Sequence, residues 1–155
     1  MENSRYPVII GKSSMVFEFI SDGLNGKVAK LVIYSETDLL DFYNLGFGDK
    51  DSSGQIDDKI VTNNGDSQKV LATFASTLYT FTEKFPQAMV LALGSTKART
   101  RLYRIGITNN LTEIEEDFEV FGFAQGDGMK FQKQIELNPL FDTCLNCTSL
   151  LIKHL

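Results

Sequence analysis

The chain holds four arginines, Arg5, Arg99, Arg101 and Arg104, and three of them fall within six residues. Lys97 lies just before them, and Gly94-Ser95-Thr96 comes directly ahead of the group. An apolar run, Ala88–Leu93, precedes that turn. A strand, a small-residue turn and a helix start together favour anions, because free first-turn N–H groups and the positive end of the helix dipole point outward. Ser95 and Thr96 add hydroxyl donors. Arginine adds a planar fork that matches phosphate or carboxylate bidentately. Cations in a first helical turn oppose the dipole, so Lys97 and Arg99 stand where stability alone would favour acids. The candidate ligand-binding residues are therefore Gly94, Ser95, Thr96, Lys97, Arg99, Arg101 and Arg104. Two blander readings compete: a solvated basic face, and ion pairing with the aspartate-rich stretch from Asp49 to Asp66.

Helix geometry divides the cluster. At about 100° per residue, Lys97, Arg101 and Arg104 share one stripe. Arg99 projects from the opposite polar flank, beside Tyr103. Ala98, Leu102 and Ile105 form the expected inner face between them.

Other chemistry is thinner. Asp49, Asp57 and Asp58 are the carboxylates that would hold a divalent cation, yet the spacing of a calcium loop is absent, and no metal or cofactor is expected. Cys144 and Cys147 are spaced C-x-x-C, but only His154 is near enough in sequence to be a third zinc ligand. The pair reads as two ordinary thiols. His154 is the single histidine, and no nucleophile–base constellation accompanies it. No Walker motif and no G-x-G-x-x-G are present, so the sequence does not decide whether the protein is an enzyme.

The elements that must position these residues follow from periodicity. Met15–Ser21 and Lys27–Ser35 read as strands around the loop Asp22–Gly26. In the second, Ala29, Leu31 and Ile33 form a uniformly apolar face, expected to point to the core. Phe42–Gly48 alternates as a third strand, with Tyr43, Leu45 and Phe47 on one side. Lys59–Thr62 reads as a further short strand. Asp66 or Ser67 can cap a helix over 67–85, whose stripe is Val70, Phe74, Leu78, Phe81 and Phe85. Pro86 ends it. Ala88–Leu93 reads as a buried strand, and 97–117 as a second helical segment. Within it Asn110 or Thr112 caps the later part, with Glu113 or Glu115 completing a capping box. Phe118–Ala124 and Met129–Ile135 flank Gln125–Gly128 as a closing hairpin. The expected fold is α+β: a largely antiparallel, curved sheet packed on one long helix. Residues 1–141 form one domain, with 142–155 set apart as a C-terminal tail.

The bulk composition bounds the function. With 155 residues, 43% hydrophobic and 23% charged, the chain is one globular domain and not a disordered or fibrous segment. A net charge of −5 argues against a uniformly basic nucleic-acid surface while allowing a local patch. No apolar run approaches the roughly 20 residues of a membrane span, and no secretory signal opens the chain. The expectation is a cytoplasmic protein with no membrane partner.

Three segments carry a resemblance. They are Tyr43-Asn44-Leu45-Gly46-Phe47-Gly48-Asp49; Gly54–Asp58 leading into Asn63-Asn64-Gly65-Asp66; and Gly94-Ser95-Thr96-Lys97-Ala98-Arg99-Thr100-Arg101-Leu102-Tyr103-Arg104. Together they resemble a small bacterial family catalogued as a domain of unknown function, over roughly residues 15–135. The resemblance implies a bacterial cytosolic protein and selects no activity.

Three functions are compatible with the residues. The first is binding of a phosphate-bearing ligand, a nucleotide or RNA, at the Gly94–Arg104 turn and helix. The second is a protein-interaction module without catalysis, such as one half of a toxin–antitoxin or defence pair. The third is a metal-assisted phosphoryl enzyme, which requires Asp57 and Asp58 to approach Arg99.

Overall fold

The structure is a computed structural model. It describes residues 4–11, 13–57, 62–92, 101, 103–105, 107, 110–124, 131–133 and 147–155. Eight strands among them form one curved, unclosed sheet: β1 (Ile9–Ile10), β2 (Val16–Gly23), β3 (Gly26–Glu36), β4 (Phe42–Asp49), β5 (Met89–Ala92), β6 (Phe118–Ala124), β7 (Phe131–Lys133) and β8 (Cys147–His154). The spatial order is β1-β2-β3-β4-β5-β8-β6-β7. Every pairing is antiparallel except β4 with β5. The helix α1 (Ser67–Lys84) connects that parallel pair. A shorter helix, α2 (Leu111–Asp117), leads into β6, and residues 101, 103–105 and 107 are also helical. The α+β class is therefore as the periodicity indicates.

The stripe on α1 is the core. Phe74, Leu78 and Phe81 are fully buried, and Val70 is nearly so. Phe81 stacks on Tyr34 with ring centroids 4.0 Å apart, while Phe74 lies 5.0 Å from Phe47. Such aromatic pairs add about 0.5–1.5 kcal/mol beyond their buried area. Tyr43, Leu45 and Phe47 face this helix from β4.

β3 reverses the expected orientation. The core cluster takes Val32 and Tyr34, with Lys30 buried on the same side, whereas on the other side Leu31 is buried and Ala29 and Ile33 are half-buried. Polar groups tolerate burial when they are paired. The Tyr34 hydroxyl meets Thr77 Oγ1 at 2.8 Å, and the Lys30 ammonium pairs with Asp49. A lysine and a tyrosine therefore fill a face that reads as polar in sequence.

Both expected helix caps differ in detail. Asp66 occupies the N-cap position of α1 but makes no side-chain capping bond. Its Oδ2 instead accepts hydrogen bonds from Tyr6 OH and Ser21 Oγ, both at 2.6 Å. Asn110 is the N-cap residue of α2, also without a side-chain capping bond. Lys59 to Val61 lie outside the described residues, so the short strand proposed at Lys59–Thr62 does too.

The segment set apart as a tail contains β8. Cys147–His154 runs between β5 and β6, and Leu150, Leu151 and Ile152 are buried. Three adjacent aliphatic residues suit a strand covered on both faces. Cys144 and the rest of 134–146 lie outside the described residues.

Candidate functional site

β4 continues beyond its described pairing with β5, and the candidate site grows from that stretch. The last register pair between them is Leu45 with Ala92, while β4 continues to Asp49. Lys50 N donates to Ala29 O at 2.9 Å, which shows that even-numbered peptide groups here point to β3. Those of Phe47 and Asp49 therefore point the other way, away from β3. Buried backbone groups need partners, and two separate segments supply them.

Tyr103 serves Phe47. Its hydroxyl accepts from Phe47 N at 2.9 Å and donates to Phe47 O at 3.2 Å. The side chain is buried, with its ring 5.7 Å from that of Phe74. This corrects the expected polar flank: Tyr103 belongs to the inner face, and so does Ile107 one turn on. Ile105, expected on that face, is half-buried. The tyrosine is thus the anchor that holds the arginine-bearing segment against the sheet. Arg101 is exposed and Arg104 half-buried, three residues apart on one side of this helical stretch. Gly94, Ser95, Thr96, Lys97, Ala98, Arg99 and Leu102 lie outside the described residues.

The acidic strap serves Asp49. Asp57 N donates to Asp49 O at 2.7 Å. The Asp49 carboxylate is buried: Oδ1 pairs with Lys30 Nζ, and Oδ2 accepts from Thr62 N at 3.0 Å. Lys30 Nζ also donates to Thr62 O at 3.0 Å. The arginine block and the acidic strap therefore attach to one edge of β4, two residues apart, or about 7 Å at strand rise. Their partners differ from the expected pairing, since Asp49 is matched by Lys30.

Most of the aspartates near the strap hold structure. Asp51 Oδ1 accepts from Ser53 N, Ser53 Oγ and Gln55 N, and these bonds hold its carboxyl below the usual range. Burial alone would raise the Asp66 carboxyl, but hydrogen bonds from Ser21 and Tyr6 outweigh it and the net shift is downward. Asp57 is half-buried, and Asp58 lies outside the described residues. No group of three or more potential metal ligands occurs among the described residues.

A second polar assembly clasps the β2–β3 turn. Asn64 Oδ1 accepts from Asn25 N at 2.6 Å, and Asn64 Nδ2 donates to Gly26 O and Ser21 Oγ. Leu24 N donates to Asn64 O at 3.0 Å. Gly23 permits this approach, since a Cβ there would lie 2.0 Å from Asn64 O. Tyr6 closes the cluster: its N donates to Thr73 Oγ1, and Lys69 Nζ sits 4.2 Å from its ring centre.

Sequence reasoning missed Lys30, Tyr6 and the role of Tyr103. Lys30 had a legible signal. It alternates with Val28, Val32 and Tyr34, just as Asp49 alternates with Tyr43, Leu45 and Phe47. Two opposite charges at core-facing positions of neighbouring strands mark a buried pair. Tyr6 had none, because it lies outside any strand or helix and no alternation assigns it a face.

No helix among the described residues is long and apolar enough to cross a membrane. Comparison with curated proteins and with solved structures finds no match. Residues 2–141 match the family described as a family of unknown function, DUF6934, and the chain, whose Asp49, Asn64, Asp66 and Tyr103 build the contacts above, belongs to that family.

Proposed function

We propose that the protein binds a phosphate-bearing ligand, a nucleotide or an RNA segment, through the Gly94–Arg104 segment that follows β5 in sequence, in the cytosol. The observation that supports this is the pair of hydrogen bonds between Tyr103 and Phe47. They tie the arginine-bearing helical stretch beside the carboxyl end of a parallel strand pair, the part of α/β sheets where ligands commonly lie. Arg101 is exposed there, and a guanidinium presents a planar fork of donors that matches a phosphate. Gly94, Ser95, Thr96, Lys97 and Arg99 supply the donors argued from sequence.

The test is fluorescence anisotropy with a short labelled RNA, together with a thermal-shift screen of nucleotides. Binding should weaken as salt rises, because phosphate contacts release counterions. Arg99→Ala and Arg101→Ala should each lose at least about tenfold in affinity, roughly 1.4 kcal/mol, with unchanged melting temperatures. If no phosphate ligand binds the wild-type protein, or both variants bind as it does, the proposal is refuted.

The interaction-module reading draws on a different observation. Leu39 and Leu40, at the β3–β4 turn, are 64% and 89% exposed. Co-purification from the native host with a Leu39→Ser/Leu40→Ser control tests it. A wild-type protein recovered alone opposes this reading.

A further inference from the structure

β5 and β6 do not touch each other in the sheet; each pairs with β8 instead. Two inter-strand steps of about 4.8 Å separate them, so a gap of about 10 Å would remain without β8. In that gap the facing backbone groups of both strands would have no partners, at a cost that buried N–H and C=O groups rarely bear. The hairpin of β6 and β7 would also be cut from the sheet, since β8 is its link to β5. Yet β8 lies beyond residue 141, where the family match stops. The strand that completes the sheet is thus supplied from outside the family region.

The gap is chemically selective. Both neighbours pair antiparallel with the same residues, as Leu150 to Lys153 face Ala92 to Met89 on one side and Gly122 to Glu119 on the other. Leu150 and Ile152 enter the core cluster, and Leu151, on the opposite face of the strand, is also fully buried. An occupant must therefore be apolar on both faces, and an alternating amphipathic segment would bury polar groups. The register is pinned at one end. His154 packs edge-on against Phe118 at 5.0 Å, and Leu155 N donates to Asp117 O at 2.9 Å.

We infer that the gap between β5 and β6 is a strand-acceptor groove. Its occupant is an extended segment with three consecutive aliphatic residues. Residues 147–154 fill it in cis, and the same segment supplied by another molecule fills it interchangeably. This inference is independent of the phosphate-binding proposal.

The test uses the full chain with Leu151→Asp, which puts a charge at a fully buried position, and a fluorescent peptide of residues 142–155. The peptide should bind the variant and raise its melting temperature towards the wild-type value. A peptide of scrambled order should do neither. Wild-type protein should bind the peptide at least tenfold more weakly, because its tethered strand competes at an effective concentration of order millimolar. A second measurement covers a variant that does not fold. Wild-type protein is refolded from urea into ~1 mM labelled peptide, near the effective concentration of a short tether, and passed over a sizing column. Label should remain with the folded protein well above the scrambled control. Retention no higher than that control, a folded variant that ignores the peptide, or a variant as stable as wild type overturns the inference.

Discussion

Replacing Lys30 with methionine tests whether the charges buried between β3 and β4 hold the strap. Lys30 is 2% exposed, and its ammonium meets the Asp49 carboxylate and Thr62 O. Methionine keeps much of the volume and removes the charge. Asp49 would then be left buried with Thr62 N as the remaining partner shown for its carboxylate. Breaking a buried pair on one side typically costs about 3–5 kcal/mol, a large share of the roughly 5–15 kcal/mol that holds a domain folded. With a urea slope of about 2 kcal/mol per molar, the unfolding midpoint should fall by about 2 M. The assay is urea unfolding followed by far-ultraviolet circular dichroism, because the chain has no tryptophan. The double variant Lys30→Met/Asp49→Leu sharpens the test. It removes both charges and leaves Thr62 N without its carboxylate acceptor, a loss of about 1–3 kcal/mol. It should therefore be more stable than Lys30→Met. A midpoint drop below about 0.5 M for Lys30→Met, or losses that simply add in the double variant, would refute the reasoning.

Tyr103→Phe keeps the ring but removes both hydrogen bonds to Phe47; stability should fall by about 1–3 kcal/mol, read by the same urea titration. Gly23→Ala forces the Asn64 loop away from the β2–β3 turn, because the new Cβ would lie 2.0 Å from Asn64 O; hydrogen exchange should show faster opening of the Leu24 amide, which that carbonyl accepts. Asp66→Asn probes pH. The folded carboxyl sits below its ordinary value, so its stabilisation is present above the unfolded value of about 3.9 and is lost as pH falls further. The stability gap between wild type and variant should be wide at pH 6 and narrow near pH 2.5, and a constant gap would count against the assignment.

The legible parts of this fold are those written in local periodicity. The α1 stripe, the proline after it, the β2–β3 hairpin and the β6–β7 pairing all depend on neighbours a few residues apart. The orientation of β3 was not legible from its own residues. Leu31 and its flanks are more apolar than Val28, Lys30, Val32 and Tyr34, and only a partner 19 residues away makes Lys30 a core residue. β8 was hidden for a similar reason. Its aliphatic run is short, and the strands that need it are β5 and β6, separated from it by 54 and 22 residues at their nearest ends. Of the candidate site, the arginine cluster was visible as composition. Its anchor was not, because Tyr103 reads as part of a polar flank until its hydroxyl is seen to bond Phe47 N and O, 56 residues away.

The joint attachment at β4 narrows how the two charged segments act. Had the arginines neutralised the acidic strap, the arginine block would need no other role. Instead Asp49 is matched by Lys30, Asp51 by its own loop and Asp66 by two hydroxyls. Three of the five aspartates between Asp49 and Asp66 thus have partners that are not arginines. The strap is a structural clasp for the β2–β4 end of the sheet. Arg101, exposed on a stretch that Tyr103 anchors to β4 two residues from the strap's attachment, contributes nothing to that clasp through those three carboxylates. A positive charge held at a defined place and exposed to solvent favours an external anion, which is why the arginine block rather than the aspartates carries the proposed function.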